Sequence, residues 1–193
     1  MTILLPGPSL KYLNEIPAHS ILATVNHYWL MEKFGKIDVL LASAVENLDD
    51  IDLINGYVED GGILLTTPTF GVEAENVIQF ITDAPNIIRK VPSVEEPLTF
   101  RALTSFALLI FILTIAGARK IDLYGADGGY LEGELLYWGG WPSGSRGRLE
   151  MDTRILNQAF PIIMKRVCDL YGIEEPDITN HSERSLYTCF KKP

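Results

Sequence analysis

Phe106–Asp127 reads FALLIFILTIAGARKIDLYGAD. A nearly unbroken apolar run, Phe106–Gly117, passes through Ala118-Arg119 into the short strand pattern Lys120–Tyr124 (KIDLY). A helix that is apolar all round is a buried one. One that feeds directly into a strand has the form of a crossover in a parallel sheet. Crossing a bilayer takes about 20 apolar residues. The run falls short of that, so it predicts a buried helix over Leu103–Ala116 and no membrane span. The stretch closes on Gly125-Ala126-Asp127, a turn immediately after the strand.

Working outward, the same alternation recurs on both sides. Thr2–Leu5 reads as a first strand running into the Pro-Gly-Pro-Ser turn. Ile21–Val25 (ILATV), Asp38–Ala42 (DVLLA) and Ile63–Thr67 (ILLTT) read as three more strands, and Asn86–Val91 as another short one. Downstream, Ile155, Ala159, Ile162, Ile163 and Val167 fall at helical spacing within Asp152–Tyr171, and Gly172 provides the stop. Ile178–Thr179 and Leu186–Phe190 complete the chain as a strand and a turn. Apolar rather than alternating strands, interleaved with helices, predict an α/β fold. The expected form is a Rossmann-like, mostly parallel sheet with helices on both faces, built as a single domain over residues 1–193.

Composition narrows the function classes. The 193 residues are 47% hydrophobic and 21% charged, ordinary values for a globular chain with a sizeable core. A net charge of −9 disfavours a broad nucleic-acid-binding surface. Cys168 and Cys189 form neither a CxxC pair nor a disulfide framework, and MTILLPGPSL lacks the basic start of a signal peptide. The expectation is a soluble cytoplasmic protein with small-molecule partners; a homo-oligomer is compatible with the same composition.

Ligands of open α/β sheets sit beyond the carboxyl ends of the strands. That rule selects Gly7, Pro8 and Ser9, then Asn26 and His27, then Ser43, then Thr66–Thr69, then Gly125 and Asp127. Gly7 permits the backbone to approach a ligand closely, and Ser9 offers a hydroxyl and an N–H at a helix start. A carboxylate between glycines, as at Asp127, can bind a ribose hydroxyl, hold a hydrated metal, orient a nucleophile, or simply stabilise a tight turn. The loop Asp127–Gly147 adds Tyr130, Tyr137, Trp138 and Trp141 as stacking or phosphate-binding candidates, or as ordinary packing. His19, His27 and His181 lack metal-ligand spacing. No Walker phosphate loop, GxSxG elbow or GxGxxG fingerprint is present, and no protein metal site is expected.

The ordered set of segments resembles a known superfamily. A strand into Gly7-Pro8-Ser9-Leu10 is followed by a strand ending in Asn26-His27-Tyr28-Trp29. Thr104-Ser105 then opens the apolar helix, and Ile121–Asp127 carries G-x-D. This is similar to the small bacterial sialyltransferases of the GT-A-variant type and to their MptE-like relatives, the 6-hydroxymethylpterin pyrophosphokinase-like and flagellin-glycosylation proteins. The resemblance implies that Gly7, Pro8, Ser9, Asn26, Thr104 and Ser105 hold a nucleotide or CMP-type nucleotide-sugar, and the carboxyl-edge rule adds Gly125 to them. The resemblance also implies that Tyr130 and Tyr137 bind the departing phosphate.

Two departures stand out. The general-base histidine of that family, expected before the last long helix, is replaced here by Arg148-Leu149-Glu150-Met151-Asp152. Its second donor-binding asparagine is absent from Leu41-Ala42-Ser43-Ala44. Asp127, Glu150, Asp152 and His27 are the substitute bases available.

The expected function is a nucleotide-dependent transferase of glycosyl type, acting on an acceptor the residues do not name. Two alternatives stay open: MptE-like diphosphate transfer from ATP with Mg²⁺, and a non-catalytic ligand-binding protein of the same fold.

Overall fold

The computed structural model describes residues 1–18, 21–43, 49–80, 104–128, 137 and 145–193, with the side chains of the last stretch described from Asp152 onward. The expected strand over Asn86–Val91 lies outside these residues, as do Tyr130, His19 and most of the aromatic loop.

Along the chain come β1 (Thr2–Leu4), β2 (Leu22–Val25), β3 (Val39–Ala42), α1 (Ile51–Glu59), β4 (Ile63–Thr66) and β5 (Val77–Gln79). Then follow α2 (Ser105–Ile115), β6 (Lys120–Tyr124), α3 (Ser145–Tyr171) and β7 (Asp177–Asn180). A five-residue 3-10 turn, Pro8–Tyr12, follows β1, and two shorter ones, Tyr28–Leu30 and Glu32–Phe34, follow β2. Among the described residues the strands form one seven-stranded sheet, every pairing parallel, in the order β5-β4-β3-β2-β1-β6-β7. The chain steps outward from β1 in one direction as far as β5, then returns to lay β6 and β7 on the other side of β1. The order therefore reverses between β1 and β6, the place where an open parallel sheet leaves a crevice at its carboxyl edge.

Both faces are covered, as a fully apolar parallel sheet requires. On one face α2 lies between the sheet and α3, burying Leu108, Leu109, Ile110 and Phe111 against Ile3, Ala23, Leu41, Leu123 and Leu156. Burial on two sides explains why α2 carries no polar stripe. On the other face α1 and the 3-10 turns cover Leu4, Leu22, Leu40 and Leu64 with Leu10, Met31, Ile54 and Tyr57. Among the described residues no helix is long and apolar enough to cross a membrane.

Three elements differ from the sequence expectation. α1 was not anticipated, because Asn55 and Gly56 in its middle are poor helix formers; its stability comes from burying Ile54, Tyr57 and Val58. β5 is a three-residue edge strand with Ile78 exposed, too short and too little buried to show a pattern. α3 begins at Ser145, before the periodic stretch, and carries Pro161 on its exposed side.

Candidate functional site

The corners after β1 and β6 are in direct contact. The Gly7 amide donates to the Gly125 carbonyl at 3.0 Å, and a Cβ on Gly7 would lie 2.1 Å from that oxygen and 2.3 Å from Asp127 Oδ2. Gly125 itself has φ +72°, and a Cβ there would meet the Leu5 carbonyl at 2.0 Å. Only hydrogen fits at either position. Asp127 fastens the two corners together: its Oδ2 accepts the Ser9 N–H at 2.9 Å. The carboxylate is buried, 6% exposed, and among the described residues Oδ1 has no hydrogen-bond partner. A buried acceptor left unpaired costs about 1–3 kcal/mol. Burial lowers the pKa of the Lys192 ammonium, and the nearby Asp127 charge opposes that shift.

Beside this junction opens a cleft of about 430 Å³, within the range of small-molecule sites. Ser9, Leu10, Tyr12 and Leu13 in and just after the turn that follows β1 form one wall, Tyr124 of β6 and Gly125 after it another, and His181–Arg184 after β7 the third. Asp127 lies behind the lining rather than in it.

The third wall is held by a buried amide. Asn180, fully buried at the end of β7, donates through Nδ2 to the Ala126 carbonyl and to Ser185 Oγ, both at 2.9 Å. Its Oδ1 accepts the Ser182 N–H at 3.0 Å. Leu186 N–H donates to the Asp127 carbonyl at 2.7 Å, and Ser9 and Ser182 hydroxyls meet at 3.2 Å across the mouth.

In this wall the His181 ring stacks on Tyr124, centroids 4.6 Å apart and planes within 5° of parallel, and its Nε2 lies 2.8 Å from Asp122 Oδ1. The strand register makes this arrangement. Asp122 pairs with Thr179 and Leu123 with Asn180, so one further step sets Tyr124 level with His181. Asp122 and Tyr124, two residues apart, share a face. The sequence reading did not group these three; a signal lay in the alternation of KIDLY, but only the β6–β7 register brings His181 to it.

The other expected site residues form a second group at the ends of β2 and β3. Asn26, in the left-handed region at φ 59°, directs Oδ1 to the Ser43 N–H at 3.5 Å. Ser43 and Ser105 hydroxyls meet at 3.0 Å, and Thr104 caps α2 by accepting the Ala107 N–H at 3.2 Å. His27 follows Asn26, with Nδ1 3.9 Å from Asp50 and an edge-on contact with Trp29. β1 separates this group from Gly125, two strand spacings or roughly 10 Å. Pro8 is buried as the first residue of its 3-10 turn.

Tyr137 touches the first corner through its backbone, whose N–H donates to the Pro6 carbonyl at 2.9 Å, while its side chain turns to the core. Its hydroxyl donates to the Leu30 carbonyl, Lys33 lies 5.0 Å above its ring, and the side chain belongs to the core on the α1 face. Burial raises its phenol pKa. Among the described residues, no three His, Cys, Asp or Glu side chains gather as metal ligands. No protein-family model matches this chain, and neither a curated protein nor a solved structure does; the fold and the site therefore stand on their own geometry.

Proposed function

We propose that this chain is a nucleotide-dependent transferase of glycosyl type, binding its donor in the cleft between the turn after β1 and the loop after β7. The observation that carries the reading is the meeting of the Gly7 and Gly125 corners at the strand-order reversal, with an open cleft directly beside them. The residues present suit a nucleotide. Tyr124 and His181 offer aromatic surface, Ser9 and Ser182 offer hydroxyls, and Arg184 supplies a cation on a lining otherwise poor in positive charge. Donors of this kind favour a phosphate whose charge grows as it departs. The bound nucleotide supplies that leaving group.

Asn26, Ser43 and Ser105 extend the carboxyl edge with polar groups on the far side of β1. A donor longer than a nucleoside monophosphate reaches them from the cleft. Asp127 supports the site by holding both corners in register.

Isothermal titration with CMP, CDP, UDP, GDP and ATP, each with and without Mg²⁺, tests the proposal. Saturable binding by at least one, weakened in Tyr124→Ala with the fold intact by circular dichroism, is expected. Binding by none removes the basis of the reading. Binding of ATP alone, dependent on Mg²⁺, replaces glycosyl transfer with diphosphate transfer.

A further inference from the structure

Resting on the transferase reading, we infer that His181, oriented by Asp122, is the base that deprotonates the acceptor hydroxyl in the cleft. Four observations carry this. His181 lines the cleft, and Asp122 is not part of that lining. Its Nε2 lies 2.8 Å from the Asp122 carboxylate. The ring is stacked flat on Tyr124, and its backbone amide is fastened to the Leu123 carbonyl at 2.9 Å. Among the described residues the ring makes no other hydrogen bond, which leaves Nδ1 as the nitrogen for the proposed acceptor.

The tautomer follows from the partner. A carboxylate at Nε2 accepts a proton there, which places the lone pair on Nδ1. Stacking on Tyr124 removes ring rotation, so the lone pair keeps one direction. The same pairing that orients the neutral ring balances the charge of the imidazolium that forms.

In the step itself, the acceptor O–H proton passes to His181 Nδ1 as the acceptor oxygen bonds to the anomeric carbon. The bond from that carbon to the phosphate oxygen breaks, and its electron pair leaves with the nucleoside phosphate. The imidazolium then returns its proton to solvent. No further reactant is needed. His181 is the catalytic residue and Asp122 a positioning residue.

The test uses the full chain with CMP-N-acetylneuraminate, UDP-glucose and GDP-mannose, with water alone or galactose as acceptor, reading release of the nucleoside phosphate. Donor binding is measured in parallel by calorimetry. His181→Gln is expected to lose at least about 100-fold in turnover, the usual contribution of a general base, a loss larger than the accompanying rise in donor Kd. Asp122→Asn is expected to lower kcat while leaving KM in place. In ¹⁵N spectra of the histidine rings it is expected to abolish the fixed Nε2–H form, a change that a merely structural role does not produce.

Wild-type turnover retained by His181→Gln overturns the base assignment and leaves the transferase standing. Nucleotide binding by wild type without release from any donor likewise overturns the base alone. Absence of all nucleotide binding overturns both.

Discussion

Gly7 and Gly125 sit back to back, the amide of one on the carbonyl of the other at 3.0 Å, with no room for a methyl group on either. Backbone, not a flexible side chain, blocks each position. Gly7→Ala is therefore expected to destabilise the fold by about 1–3 kcal/mol through overpacking. Gly125→Ala is expected to cost more, because it adds a side chain at positive φ, a further ~1–2 kcal/mol. Urea unfolding of the two variants against wild type gives the ranking; equal stability of Gly125→Ala and wild type would contradict the contact.

Asn180 joins the end of β7 to Ala126, Ser182 and Ser185 with no exposure to solvent. Asn180→Ala leaves the Ser182 amide without its acceptor, while the Ala126 carbonyl keeps only the Ser185 hydroxyl as donor. A loss of about 1–3 kcal/mol is expected. Because Ser182 and His181 are adjacent, the same variant is expected to weaken nucleotide binding, read by calorimetry below the unfolding temperature. Unchanged affinity would mean the cleft wall is set by something other than this amide.

Tyr137 spends its hydroxyl on the Leu30 carbonyl inside the core on the α1 face. Tyr137→Phe is expected to cost on the order of 1 kcal/mol in stability, with the nucleotide titration unaltered. A clear affinity loss in the folded variant would restore the phosphate-binding role that the sequence resemblance implies.

Burial pushes the Cys189 thiol up to about 12 and raises the Cys168 thiol and the Tyr57 and Tyr187 phenols from their ordinary values. The sign follows from proton counting. An unfolded thiol loses its proton near pH 8.5, while the folded Cys189 keeps it. Above that pH the unfolded state binds fewer protons, so stability falls as pH rises. It is fully present below about pH 8.5. The urea midpoint is expected to hold steady through neutral pH and to decline between about pH 9 and 11, less steeply in Cys189→Ser. A midpoint that rises over this interval would refute the burial.

The fold class and part of the site were legible in the residues for a physical reason: both depend on local pattern. Apolar runs separated by turn residues dictate buried parallel strands, and an all-apolar helix can only be an interior one. The carboxyl-edge rule selected both Gly7 and Gly125; Gly7 read as a place for close approach to a ligand, and the structure sets the Gly125 carbonyl and Asp127 against it instead. Where the pattern was weak, the reading failed, as in β5 with its exposed Ile78 and α1 with Asn55 and Gly56.

The partnership of His181 with Asp122 and Tyr124 was decided by tertiary structure alone. The ring and its carboxylate are 59 residues apart. Nothing in either segment specifies a partner until β6 and β7 pair in one register, since a slip of one residue would turn Asp122 and Tyr124 to the opposite face. Tyr137 teaches the converse. A tyrosine in a loop rich in aromatic residues carries no local mark of which core will bury it, and the contacts with Leu30 and Lys33 made that choice.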